Sequence, residues 1–141
     1  MNTNTPLRLY RVIVPVHDIE QGARFYSELL QQAGARVSPG RHYFGCGGVI
    51  LALYNPSADG DTSSARPNFE HLYFSTGDLE DVYERAQRLG GLSPATGDGN
   101  LPLGDIARRP WGERSFYMND PFGNPLCFVD EASLFTASLI E

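Results

Sequence analysis

The stretch FEHLYFSTGD, residues 69–78, alternates apolar and polar residues as a strand does, and it carries His71, one of three histidines in the chain. A histidine in that setting can be a metal ligand, a proton shuttle, part of an anion site or a hydrogen-bonded interior residue. The other two histidines offer less. His17 precedes a helix cap and His42 begins a strand, and both positions read as surface. Cys46 and Cys127 stand apart, without the CxxC spacing of a zinc knuckle or the pattern of a disulfide framework, and read as buried thiols. Asp78 and Asp81 fall in the first turn of a predicted helix, where capping and the helix dipole account for them. GCGG at 45–48 lies between two strands, so it is a turn and not a phosphate cradle, and neither a GxSxG elbow nor a P-loop occurs.

The elements that position these residues repeat. YRVIVPV at 10–16 is a β-branched strand leading into HDIEQGARFYSELLQQAGA, whose apolar residues Ile19, Ala23, Tyr26, Leu29, Leu30 and Ala33 have helical spacing. Asp18 stands at the N-cap position and Gln21 completes a capping-box pattern. Sixty positions later the plan recurs: a strand, Asp78 as N-cap, then Leu79, Val82, Tyr83, Ala86 and Leu89 on one helix face, with DLE at 78–80 matching DIE at 18–20. The helix ends QAGA and RLGG predict a second helix shorter by four residues. Extended pieces follow each helix: 35–38, 41–46 and 48–54 in the first half, and 92–96, 113–119 and 125–131 in the second. DPFG at 120–123 has the residues of a type I turn, so the last two strands are expected to be antiparallel neighbours. NPSADGDTSSARPN at 55–68 reads as an exposed connection between the halves. The long segment 96–112 reads as a binding loop, with Trp111 at its end either packing or touching a ligand.

Composition narrows the function classes. A chain of 141 residues, 41% hydrophobic, can bury a substantial core as one domain. A net charge of −6 without a clustered basic face argues against a nucleic-acid partner. The start MNTNTPLRLY is polar, and no apolar run approaches the ~20 residues of a membrane span, so no membrane partner and a cytoplasmic location are expected.

Two copies of β-α-β-β-β, with FY in the first helix and FYMNDPFGNPLCFVD at the end, resemble the vicinal oxygen chelate superfamily of glyoxalase I, extradiol dioxygenases and bleomycin-resistance proteins. The resemblance covers residues 8–131. It implies an α+β fold in which two modules, 8–54 and 70–131, joined by the loop 55–68, form a curled mixed sheet within a single domain, 1–141. In metal-dependent members, His or Glu on the first and last strands of each module hold a divalent ion. Carried across, those slots fall on Arg11, Leu51, His71 and Cys127. Arg11 has no lone pair to offer and Leu51 none at all, which leaves two ligands where zinc wants three or four. A guanidinium about 5 Å from a dication at an effective dielectric near 20 also costs roughly 6 kcal/mol. No metal or other cofactor is therefore expected.

Strand parity assigns Arg11, Ile13, Leu51, Leu53, His71, Tyr73 and Cys127 to the inner face and Val12, Val14, Leu72 and Phe74 to the helix side. Apolar walls with a few polar groups suit a small-molecule pocket, to which Trp111 is a further candidate contact. A buried Arg11 would need an anionic partner, from Glu70, Glu113 or Asp130, a second subunit or a ligand. The expectation is a homodimeric protein of the bleomycin-resistance type that binds an organic ligand carrying an anionic or oxygen-rich group and has no catalytic residue. The alternatives are a metal-dependent lyase or dioxygenase resembling glyoxalase I, and an interaction module whose cup is filled by its own side chains.

Overall fold

Asp18 and Asp78 begin the two helices as their positions predict. The computed structural model describes residues 7–136 and 139. In it the Asp18 carboxylate accepts the Gln21 N–H at 3.0 Å, and the Asp78 carboxylate accepts the Asp81 N–H at 3.1 Å. Each bond satisfies one of the donors that a helix start leaves unpaired. Helix α1 runs from Ile19 to Leu30 and α2 from Leu79 to Arg88. They have 12 and 10 residues, so α2 is shorter by two residues, not four. The first helix stops early because Gln31 turns left-handed at φ 56°, which leaves Ala33 beyond its end. Its buried stripe is Ile19, Gly22, Phe25, Tyr26 and Leu29.

The chain divides into two compact units, the first ending at Pro67 and the second beginning at Asn68. In the first, β1 (Arg11–Pro15), β2 (Ala35–Ser38), β3 (Arg41–Cys46) and β4 (Val49–Tyr54) form a sheet in the order β1-β4-β3-β2. Strands β1 and β4 are parallel and the other pairs antiparallel. In the second, β5 (Leu72–Thr76), β6 (Ala107–Arg108), β7 (Arg114–Asn119) and β8 (Pro125–Asp130) are ordered β5-β8-β7-β6, with β5 and β8 parallel. Neither four-stranded sheet closes into a barrel. This is the α+β, twice β-α-β-β-β architecture with mixed sheets.

Register decides which residues share a face. Val12 pairs with Leu51 and Val14 with Leu53, and across the next ladder Leu51 meets Phe44 and Leu53 meets His42. Val14, Phe44, Leu51 and Leu53 are each at most 1% exposed, and Phe44 contacts Tyr26 of α1. This is the helix-facing side. Burying each such side chain stabilises the fold by roughly 1.5–3 kcal/mol. The placement of Leu51 and Leu53 beside Arg11 and Ile13 is therefore corrected: parity within a strand was right, but β4 sits one residue out of the assumed phase. The open face of the first sheet carries Arg11, Ile13, Tyr43, Ile50 and Ala52.

In the second unit Phe74 stacks on Phe128 and Phe128 on Phe116, with centroids 4.8 and 5.6 Å apart, while Tyr83 of α2 meets Phe116 edge-on. The opposite face carries Tyr73, Ser115, Tyr117, Cys127 and Val129. The DPFG turn is present, with the Gly123 N–H donating to Asp120 O at 3.2 Å and β7 and β8 antiparallel. Inside it, Asn124 donates from Nδ2 to Asp120 at 2.7 Å and accepts the Asn68 N–H at 2.7 Å, tying the turn to the start of the unit.

The fourth strand of this sheet is not 92–96. Leu92 makes a single bridge to Met118, and the edge of β7 is completed instead by Leu103, whose carbonyl accepts the Tyr117 N–H at 2.9 Å, and by β6. Pro94 has no N–H to continue a ladder, and Gly104 crosses so close to Ser93 that a Cβ there would lie 2.5 Å from the Ser93 carbonyl. The presumed loop 96–112 thus supplies part of the sheet edge.

Candidate functional site

On the face of the second sheet away from α2, Tyr117 is the hub. The His71 ring meets it edge-on with centroids 5.0 Å apart, and the Arg109 guanidinium carbon lies 4.9 Å from its centroid. His71 precedes β5 by one residue and does not lie within the strand; its ring is also 6.2 Å from that of Tyr73. Tyr73 is 62% exposed, whereas Cys127 is fully buried and packs with Tyr117, Val129 and Leu103.

Arg109 is 7% exposed. Its Nε donates to Ser115 Oγ at 3.0 Å, and its Nη2 donates to the carbonyls of Ser115 at 2.7 Å, Asp105 at 3.2 Å and Leu103 at 3.5 Å. Every acceptor is neutral. These bonds fasten the segment 103–109 to β7 and hold a positive charge against the sheet.

The other groups on this face are donors. Burial pushes the Tyr117 hydroxyl up to about 12, and the neighbouring Cys127 reinforces the shift. Burial likewise pushes the Cys127 thiol up to about 11, with Ser115 and Arg109 opposing it. At neutral pH both keep their protons. The face therefore combines a guanidinium, a phenol and a thiol, with the Glu113 carboxylate near enough to act on Cys127.

The first unit is different. Arg11 is exposed, and its guanidinium lies over the rings of Tyr43 at 5.3 Å and Tyr10 at 5.0 Å. The expectation of a buried Arg11 that requires an anion is corrected, because the exposed side chain stacks on these rings with its charge in water. Ile13, 39% exposed, lies on the same face. Of the carboxylates considered as partners, Asp130 pairs with Arg114 at 3.3 Å, and Glu113 accepts from Trp111 Nε1 and the Phe135 N–H, both at 2.9 Å. Trp111 is half exposed. His42, expected at the surface, is buried: Arg36 donates to its Nδ1 at 3.2 Å, and its Nε2 lies 2.9 Å from the Ala33 carbonyl.

The residues do not fit the divalent ion of metal-dependent relatives. With Leu51 turned to the helix, the open-face positions flanking it on β4 are Ile50 and Ala52, and neither offers a ligand. Among the described residues no three His, Cys, Asp or Glu side chains converge to hold an ion. Sequence reasoning marked the loop 96–112 but overlooked Arg109, Ser115 and Tyr117. Alternation in RSFYMN already separates Ser115 and Tyr117 from Phe116 and Met118; nothing local distinguishes Arg109 from Arg108.

Two β-α-β-β-β units, each with a helix packed on one face of a four-stranded mixed sheet, define a class of α+β protein. The chain belongs to the Glyoxalase/Bleomycin resistance protein/Dioxygenase superfamily, whose model matches residues 8–128. It is similar to the crystal structure of a glyoxalase/bleomycin resistance protein from Albidiferax ferrireducens, at 20% identity, covering 86% of this chain and 97% of that one with a TM-score of 0.66. Lactoylglutathione lyase from Agrobacterium tumefaciens is 19% identical, over 90% of this chain and 96% of that one, with a TM-score of 0.66. A glyoxalase-related enzyme from Fulvimarina pelagi is 20% identical, over 87% of each chain, with a TM-score of 0.67. At these identities the likeness defines the fold and leaves activity to the site. Comparison with curated proteins gave no match.

Proposed function

We propose that this protein binds a small organic molecule with an anionic or oxygen-rich group, without a metal, and sequesters or senses it without turning it over. The supporting observation is the donor set on the second sheet's face away from α2. Arg109 and Tyr117 keep their protons there, His71 lies edge-on to Tyr117, and burial keeps the enclosed Cys127 thiol protonated. Such a face complements oxygen acceptors and repels cations. Tyr73 and His71 supply the adjoining apolar surface, and Trp111 offers its ring from the loop. On the first unit, Arg11 and Ile13 remain candidate contacts.

No helix among the described residues is long and apolar enough to cross a membrane, and both cysteines are free thiols, which fits work in the cytoplasm. Each sheet ends in edge strands, which supports a homodimer; light scattering should give twice the 15.5 kDa chain mass. The decisive measurement is native mass spectrometry of protein taken from cells, with elemental analysis after dialysis against zinc, nickel, manganese and iron. The expected result is a bound organic mass and no stoichiometric metal. About one metal per chain, lost in His71→Ala, would overturn the reading in favour of a metal-dependent lyase or dioxygenase.

A further inference from the structure

We infer that the face of the first sheet away from α1 receives a small aromatic monocarboxylate, with Arg11 meeting the carboxylate and the ring lying on Ile50 beside Gly45. The inference rests on the small-molecule reading above and gives it a ligand class and a subsite within the first unit.

The cation comes first. The Arg11 guanidinium carbon lies 5.0 Å from the Tyr10 ring centroid and 5.3 Å from that of Tyr43. Strands β1 and β3 flank β4 and so stand roughly 9–10 Å apart. Arg11 and Tyr43 therefore meet above β4, over the middle of the face. Water reaches all three side chains: Arg11 is exposed, Tyr10 is 53% exposed and Tyr43 is half-buried. Among the described residues the guanidinium makes one hydrogen bond, donating from Nη2 to Tyr10 Oη at 3.5 Å, and none of the ion pairs includes it. Arg41, the other arginine on this face, stacks on Tyr54 and is paired with Asp59 at 3.3 Å. The face thus offers one unbalanced positive charge, on a planar fork that two rings hold in place before a ligand arrives.

Shape comes second. Arg11 pairs with Ile50 and Ile50 with Gly45, so the three stand in one row across the face. Gly45 is exposed, and a Cβ there would meet no atom within 4 Å. The row therefore descends from Arg11 over the half-buried Ile50 to a notch at Gly45. A carboxylate carried on one ring spans that distance, with the charge at Arg11 and the ring against Ile50. Acetate would leave the notch unfilled. A dianion would bring more charge than Arg11 balances, because Asp59 already holds Arg41.

The test is NMR titration of the 15N-labelled full chain with benzoate, benzamide and acetate, on wild type and on Arg11→Met, Arg11→Lys and Gly45→Val. Benzoate should shift the amide signals of Gly45 and Ile50 and bind about tenfold more tightly than benzamide, the ratio that a charge-assisted hydrogen bond implies. Acetate should bind more weakly than benzoate. Arg11→Met should abolish the preference for benzoate over benzamide, and Arg11→Lys should retain part of it. Gly45→Val, which fills the notch, should weaken both aromatic probes. Arg11 and Gly45 are exposed, so these variants keep the fold. Equal affinities of wild type for benzoate and benzamide would overturn the anion contact. Shifts confined to residues beyond Pro67, or wild-type affinity in Gly45→Val, would overturn the subsite while leaving small-molecule binding intact. Binding of none of the three probes by wild type would overturn the ligand class, and a metal-bearing protein would instead overturn the reading on which it rests.

Discussion

Truncating Leu51 and Ile13 separately tests the register that divides the first sheet into a packed and an open face. Leu51 is 1% exposed, enclosed by Val12, Phe44 and the face of α1, whereas Ile13 is 39% exposed beside Ala52. Leu51→Ala removes buried methyl groups and leaves a cavity that rigid neighbours fill only in part. The loss should be about 3 kcal/mol, within the usual range of roughly 2–5. Ile13→Ala removes a similar number of atoms from a site where water already reaches the side chain, so about 1 kcal/mol is expected. The difference of about 2 kcal/mol corresponds to roughly thirtyfold in the folding equilibrium. Both residues belong to the same compact unit, so urea unfolding followed by far-ultraviolet circular dichroism reports one transition for both variants. If Leu51→Ala proves no more damaging than Ile13→Ala, with m unchanged, Leu51 does not face the helix and the described register is wrong.

Asp18→Ala and Asp78→Ala should each lower stability by about 1 kcal/mol, because each removes the acceptor for an N–H in the first helical turn; double substitution should be close to additive. Gly34→Ala should cost more than 2 kcal/mol in the same urea assay, since Gly34 has φ +67° and a Cβ there would lie 2.7 Å from the Tyr43 carbonyl oxygen. The folded Cys127 thiol sits at about 11 against an ordinary 9.0, so the unfolded state loses its proton first. That contribution is fully present below pH 9 and disappears as pH rises through about 11, and Tyr117 extends the fall from 10 toward about 12. Unfolding free energy measured from pH 8 upward should decline over this window, and less steeply in Cys127→Ala. At pH 8 a thiol reagent should label Cys46 in the folded protein well before Cys127, which should react only once urea opens the unit.

Much of the fold was present in local signals. An Asp followed by an apolar stripe at helical spacing specifies a helix start wherever the chain goes, because the cap and the buried face lie within one segment. Alternating β-branched and aromatic residues do the same for a strand, and the repetition of the whole series at an offset of sixty marked two like modules. The DPFG turn was equally local, since Asp120, Pro121 and Gly123 each carry a fixed backbone preference. Helix ends were less legible, because Gln31 adopts the left-handed conformation without being glycine.

Facing and charge placement depended on partners distant in sequence. VILALY is apolar at nearly every position, so its own pattern cannot say whether Leu51 or Ala52 turns toward the helix; pairing of Val12 with Leu51 and of Phe44 with Leu51 resolves it. Likewise Arg108 and Arg109 are identical neighbours in the sequence. Tertiary contact buries one of them on the carbonyls of Leu103, Asp105 and Ser115 and over the Tyr117 ring, and sends the other to the Gly112 carbonyl on the surface. The sequence determined by itself that two capped helices and their strands would form, because each depends on residues a few positions apart. Which face each strand turns to its helix, and which arginine loses its water, depended on surfaces that meet only when each sheet forms.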